Sequence, residues 1–176
     1  MIVRELQQAV IDDLNKLFSK NNFKTPRHEM KPPKSYRQYL PQFNAQETDD
    51  DFFPYIIVRI DKGGVESQTA SQKADVLLLI GIFDDGTEEY IQGDEKNHID
   101  DDGWDTRNFG TIAVMEIIEK IQMHYEQKPS LENGKFYFDG SFHWAMQDEE
   151  SYPYYFGACE LSFTLAAPRK ETSQFV

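Results

Sequence analysis

Apolar residues recur at three- and four-residue intervals near the start of the chain: Val3, Leu6, Val10, Leu14 and Leu17, with Arg4, Gln8, Asp12 and Lys16 elsewhere. That period predicts an amphipathic helix over residues 3–18, ended at Asn21-Asn22. Further on the period becomes two. In "FPYIIVRI", Ile56, Val58 and Ile60 fall on one side and Tyr55, Ile57 and Arg59 on the other. A strand is expected, entered at Pro54, where a missing N–H is tolerated. "KADVLLLIGIFDD" is apolar on both sides (Val76, Leu78, Ile80, Ile82; Leu77, Leu79, Phe83). It reads as a central strand over residues 73–84. Gly63-Gly64 allows a turn, and the polar spacer after it makes the two strands an antiparallel hairpin with a long tip.

A second helix is expected over residues 107–126, capped by Asp105 or Thr106 and stopped by Pro129. Its stripe is Val114, Ile117, Ile118, Ile121 and Tyr125, widened by Ile112 and Met115. The last third returns to strands: the aromatic-rich "GKFYFDGSFHW" (134–144) and "FGACELSFTLA" (156–166), in which Cys159, Leu161, Phe163 and Leu165 alternate with polar or small residues. Cys159 falls on the apolar side and reads as a core residue. The order αββαββ predicts an α+β fold, an antiparallel sheet of about four strands with two helices on one face. One domain over residues 1–168 is expected, with a flexible tail at 169–176.

Between the first helix and the first strand lies "KTPRHEMKPPKSYRQYLPQFNAQETDDD", with four prolines and no sustained period. Residues 24–51 therefore read as a long arm or loop insertion, either docked or disordered. Its first half is basic (Lys24, Arg27, Lys31, Lys34, Arg37) and its end acidic, and Tyr36, Tyr39 and Leu40 are its points for docking. A second long segment, residues 84–105, is acidic.

Charge changes the picture of partners. The chain has 31 acidic and 18 basic residues, net −13. Such a chain repels nucleic acid at long range, so a DNA- or RNA-binding module is disfavoured. A lone cysteine makes no internal disulfide, which points to a reducing compartment. The N-terminal helix carries charge throughout and reads neither as a signal peptide nor as a membrane anchor.

The chemistry-bearing residues do not converge. His28, His98, His124 and His143 lack zinc-ligand spacing. His143 has no visible nucleophilic partner. Around Asp100, Asp101 and Asp102 the donor order of an EF-hand fails: Ile99 interrupts it and Gly103 comes too late. Asp75, Glu88 and Lys96 form a weak magnesium-nuclease triple. No phosphate-binding glycine loop or nucleophile elbow occurs. The expectation is a protein that works by contact, with no catalytic residue, metal or cofactor.

The order of segments resembles the tail terminator (tail completion) family of long-tailed bacteriophages. A leading helix is followed by "FPYIIVRIDKG", "DVLLLIGIFDDG", "AVMEIIEKI", and then Trp144, Pro153, Tyr154, Tyr155 and Gly157 before the closing strand. The likeness covers roughly residues 1–20 and 52–168. It implies a non-enzymatic ring, usually a hexamer, seated on the last ring of the tail tube. The ring ends tube growth and offers a surface to the head-completion (connector) protein, and DNA passes through its lumen without specific binding. The implied location is the bacterial host cytoplasm during assembly, then the virion tail, with no membrane partner. On this reading Arg27, Lys31, Lys34 and Arg37 meet Asp100, Asp101 and Asp102 of the next subunit. Carboxylates facing the lumen would keep DNA sliding. Tyr36, Tyr39, Trp104, Tyr152 and Tyr154 are interface anchors, with Tyr154 also read as ordinary packing. Two other classes stay open: an acidic binding module (inhibitor, immunity protein or nucleic-acid mimic) and a small metal-dependent hydrolase.

Overall fold

The computed structural model describes residues 2–41, 49–65, 67, 70–86, 109–149 and 151–166. Helix α1 (Ile2–Leu17) and helix α2 (Phe109–Gln127) pack on a mixed sheet. Its strands are β3 (Lys34–Arg37), β4 (Tyr55–Gly64), β5 (Gln72–Phe83), β6 (Ser130–Leu131), β7 (Phe136–Met146) and β8 (Tyr154–Leu165), in the order β3-β4-β5-β8-β7-β6. Two shorter strands, β1 (Phe23–Lys24) and β2 (Met30–Lys31), pair with each other.

The α+β class holds, and the strand count is corrected. The four long strands β4, β5, β8 and β7 are antiparallel, but among the described residues the sheet has six strands, and β3 joins β4 in parallel. That strand comes from the proline-rich arm. A four-residue strand between prolines leaves too short an alternation to read, and only its pairing with residues 55–58 makes it a strand. Gly63 and Gly64 are corrected too: they continue β4, opposite Ala74 and Lys73, instead of turning. Asp61 is an extra residue between Ile60 and Lys62. At Gly63 a Cβ would come within 2.7 Å of the Lys73 carbonyl, so a close backbone approach accounts for glycine there.

The core lies between the helices and one face of the sheet. Leu6, Val10 and Leu14 of α1 and Val114, Ile117, Ile118, Ile121 and Tyr125 of α2 meet Ile56, Val58, Val76, Leu78, Ile80, Ile82, Cys159, Leu161, Phe163 and Leu165. Each expected inward set is therefore on the helix side. Met115 is exposed and Ile112 half-buried, so neither widens the α2 stripe as expected. The expected caps Asp105 and Thr106 lie outside the described residues. The strand expected at residues 134–144 is β7, which starts at Phe136, runs on to Met146 and carries a bulge. Phe138 pairs with Phe163 and Phe142 with Leu161, so Asp139–Ser141 bulge out, with Gly140 at φ +91.

A polar clasp fixes α1 to the β3–β4 edge. The buried Gln7 donates Nε2–H to the Val58 carbonyl (2.8 Å) and to Gln38 Oε1 (2.8 Å). The same Gln38 oxygen accepts from Ile60 N–H at 2.7 Å, and the Ser35 N–H donates to Asn15 Oδ1 at 3.1 Å. Gln7→Ala removes two hydrogen bonds at once, leaving the Val58 carbonyl only the Gln38 N–H at 3.0 Å and Gln38 Oε1 only the Ile60 N–H. Urea unfolding should show a loss of about 1–3 kcal/mol. A loss below about 0.5 kcal/mol, the scale of an ordinary surface change, would contradict the clasp.

Candidate functional site: the sheet face opposite the helices

The outward side chains of β4, β5 and β8 form a second apolar surface. Phe53, Tyr55, Ile57 and Phe83 are buried there, with half-buried Tyr36, Leu40, Phe52, Leu79, Tyr154 and Phe156 around them. Phe53 is the hub: its ring lies 4.9 Å from Tyr55, 5.0 Å from Tyr154 and 5.9 Å from Phe156. Phe83 meets Tyr154 at 5.6 Å and Tyr36 stands edge-on to Phe52 at 5.8 Å. The cluster forms because Tyr55 pairs with Gly81, whose missing side chain leaves room for the Tyr55 ring. A Cβ at Gly81 would fall 2.4 Å from that ring.

Along the same face the surface turns from aromatic to charged. Lys62 lies 3.5 Å from both Asp75 and Glu160, Ser162 bonds Asp75, and Lys73 reaches Asp139 at 3.5 Å. The exposed Lys62 ammonium is held above its usual range by Glu160 first and Asp75 second. The two lysines bridge the three carboxylates across neighbouring strands, and no group of three or more metal-ligating side chains gathers among the described residues. Asp75 of the magnesium triple belongs to this pairing; its expected companions Glu88 and Lys96 lie outside the described residues.

Tyr39 is 65% exposed at the rim, with the Arg59 guanidinium 4.7 Å from its ring centre. Tyr152 is 58% exposed and donates its hydroxyl to the Asp85 carbonyl at 2.7 Å. Tyr36 and Tyr154 are packed into the aromatic cluster. Three arm cations already have partners in the same chain: Lys24 with Asp84 at 3.4 Å and Asp85 at 3.2 Å, Arg27 with Asp51 at 2.5 Å, and Lys31 with Glu29. Lys34 stands 5.2 Å from the Tyr36 ring centre, and Arg37 is exposed. Asp100, Asp101, Asp102 and Trp104 lie outside the described residues. Reading the sequence missed Phe53, Phe83 and Phe156 as surface-forming residues. The signal was the second apolar side of residues 77–83, which two helices on one face leave uncovered.

The described histidines do not converge, and His98 lies outside the described residues. His124 reaches Asp13 of α1 at 2.7 Å, tying the helices together; His143 is exposed beside Ser141, and His28 is 3.8 Å from Asp85. Burial pushes the Cys159 thiol well above its ordinary range. Burial first, then the Asp13 charge, raises the Tyr125 hydroxyl. Both groups stay neutral in the fold, whereas the unfolded chain ionises them near pH 8.5 and 10. Their contribution is full at neutral pH and falls as pH rises above those unfolded values, by about 1.4 kcal/mol per pH unit for each group. Urea midpoints measured from pH 7 to 10 should fall accordingly, and Cys159→Ala should flatten the first part of the decline. An unchanged decline in that variant would contradict the assignment.

No model of a known protein family matches the chain, and no curated protein matches it in sequence. Among the described residues no helix is long and apolar enough to cross a membrane.

Proposed function

We propose that the protein is a structural phage or prophage tail protein. In this reading it forms a closed ring, most simply a hexamer, that caps the tail tube, ends its polymerisation and presents the head-joining surface. The carrying observation is the half-covered aromatic face centred on Phe53. Phe and Tyr side chains set in a partly solvated sheet, with aromatic rims at Tyr39 and Tyr152, are the composition of protein-contact surfaces. A contact between different patches of neighbouring subunits closes into a ring when its rotation closes. The segment order of the chain, with its leading helix and "GIFDD" and "IIEKI" phrases, supports the same reading. Lys34 and Arg37 are the arm cations proposed to meet acidic residues of the next subunit.

Sedimentation velocity of the full chain tests this. The expected result is a single species several times the 20.5 kDa chain mass. Phe156→Lys, which sets a charge among the half-buried rings, should shift it toward monomer with the helical signal retained. A monomer at every concentration, with no change in that variant, would instead fit the acidic binding module.

A further inference from the structure

We propose that the open edge of β7 from Phe142 to Met146 is a strand-addition site. Its occupant is an extended segment of another polypeptide that carries arginine or lysine where it meets Asp148 and Glu149. The inference does not depend on the ring reading.

The backbone defines the site. Gln147 N–H donates to the Phe156 carbonyl at 3.2 Å, which fixes the alternation of β7 against β8. His143 and Ala145 therefore turn their peptide groups to β8, and Phe142, Trp144 and Met146 turn theirs outward. Strand β6 pairs only with Phe136 and Tyr137, and the Pro129 carbonyl takes the Phe138 N–H at 2.7 Å. Beyond the bulge, no described residue pairs with the edge. The opposite edge of the sheet is protected: β3 has four residues, two of them the cations Lys34 and Arg37, and Asn15 takes its Ser35 N–H. Edges are ordinarily blunted by such charges or by proline. "SFHWAM", residues 141–146, has neither, in a chain of which 28% is charged.

Side chains and charge define the occupant. Phe142, Trp144 and Met146 share the helix side of the sheet, and Trp144 is 59% exposed, so alternate side chains of an added strand would lie along them. Past Met146 the edge runs into a cleft of about 260 Å³ lined by Thr111, Gln147, Asp148, Glu149, Ser151 and Tyr155. Among the described residues its lining includes two exposed carboxylates and no cation. A long cationic side chain suits it, both in reach and in charge. A second β7 is disfavoured as occupant because each copy carries a net charge of −13 and the same acids.

The probe is a short capped peptide of alternating threonine and valine with arginine at both ends, added to the full chain and read by residue-resolved amide hydrogen exchange. Exchange at Phe142, Trp144 and Met146 should slow by about tenfold or more at saturation, while His143 and Ala145 change little. Trp144→Pro removes one outward N–H without touching the β8 ladder and should weaken binding by about tenfold or more, whereas Trp144→Thr should retain it. Asp148→Lys with Glu149→Lys should also weaken it. The same peptide N-methylated on every second residue should give no protection, a result independent of how any variant folds. Three outcomes would overturn the proposal: the three amides already protected in the free chain, binding without their protection, or equal affinity for Trp144→Pro.

Discussion

Phe163→Ala is expected to cost about 3–5 kcal/mol, a large fraction of a domain stability of about 5–15 kcal/mol. Phe163 is fully buried on β8, which lies between β5 and β7. Its ring stands edge-on to Tyr125 at 5.6 Å and tilted to Phe138 at 6.0 Å, so it joins α2 to two adjacent strands. Removing it opens a cavity walled by a helix and a sheet that are each held by their own hydrogen bonds and cannot collapse freely. The Tyr125 hydroxyl is buried without a hydrogen-bond partner among the described residues, which leaves packing to hold that ring. Urea unfolding should show the midpoint fall with little change in slope. A loss below about 1 kcal/mol would mean that these rings are not the centre of the core.

Gly157→Val should destabilise even though valine is a better strand former than glycine. Gly157 lies on β8 beneath α2. A Cβ built on it would sit 2.5 Å from Val114 Cγ1 and 3.3 Å from Ile118 Cδ1. Val114 is itself β-branched and stiff at χ1 in a helix, so it cannot swing aside. The cost should be about 1–3 kcal/mol or more, because α2 must lift from the sheet. Adding Val114→Ala to that variant should recover part of the loss, whereas Val114→Ala alone destabilises through a cavity. Equilibrium unfolding of the two single variants and the double variant measures this coupling. A stabilised Gly157→Val protein would show that strand preference outweighs the α2 contact.

Long periodic segments were legible in the sequence because one side of each is buried. Leu6, Val10 and Leu14 marked α1 by period, and Ile56, Val58, Val76, Leu78, Leu161 and Phe163 marked the inward sides of their strands. Pairing between distant segments was not legible. Strand β3 depends on parallel pairing with Tyr55–Val58, a contact that nothing in "KSYR" announces. Phe138 and Phe142 both face the core, as alternation predicts, but the bulge at Asp139–Ser141, which sets three residues against Ser162 alone, leaves no mark in the apolar pattern. The aromatic surface was half-legible. Phe83 and Leu79 showed that residues 73–84 are apolar on both sides, but that pattern alone does not tell a buried second face from a docking one. Phe53 became its centre only through the packing of Tyr154 and Phe156 from the far end of the chain.

In the proposed function this fold docks onto copies of itself and onto a tube, with the aromatic sheet face as a principal contact. Electron microscopy of the full chain mixed with polymerising tail-tube subunits tests this. The tubes should end in an added ring of density and shorten as the protein concentration rises. Bare tube ends, with a length distribution unchanged by the protein, would contradict it.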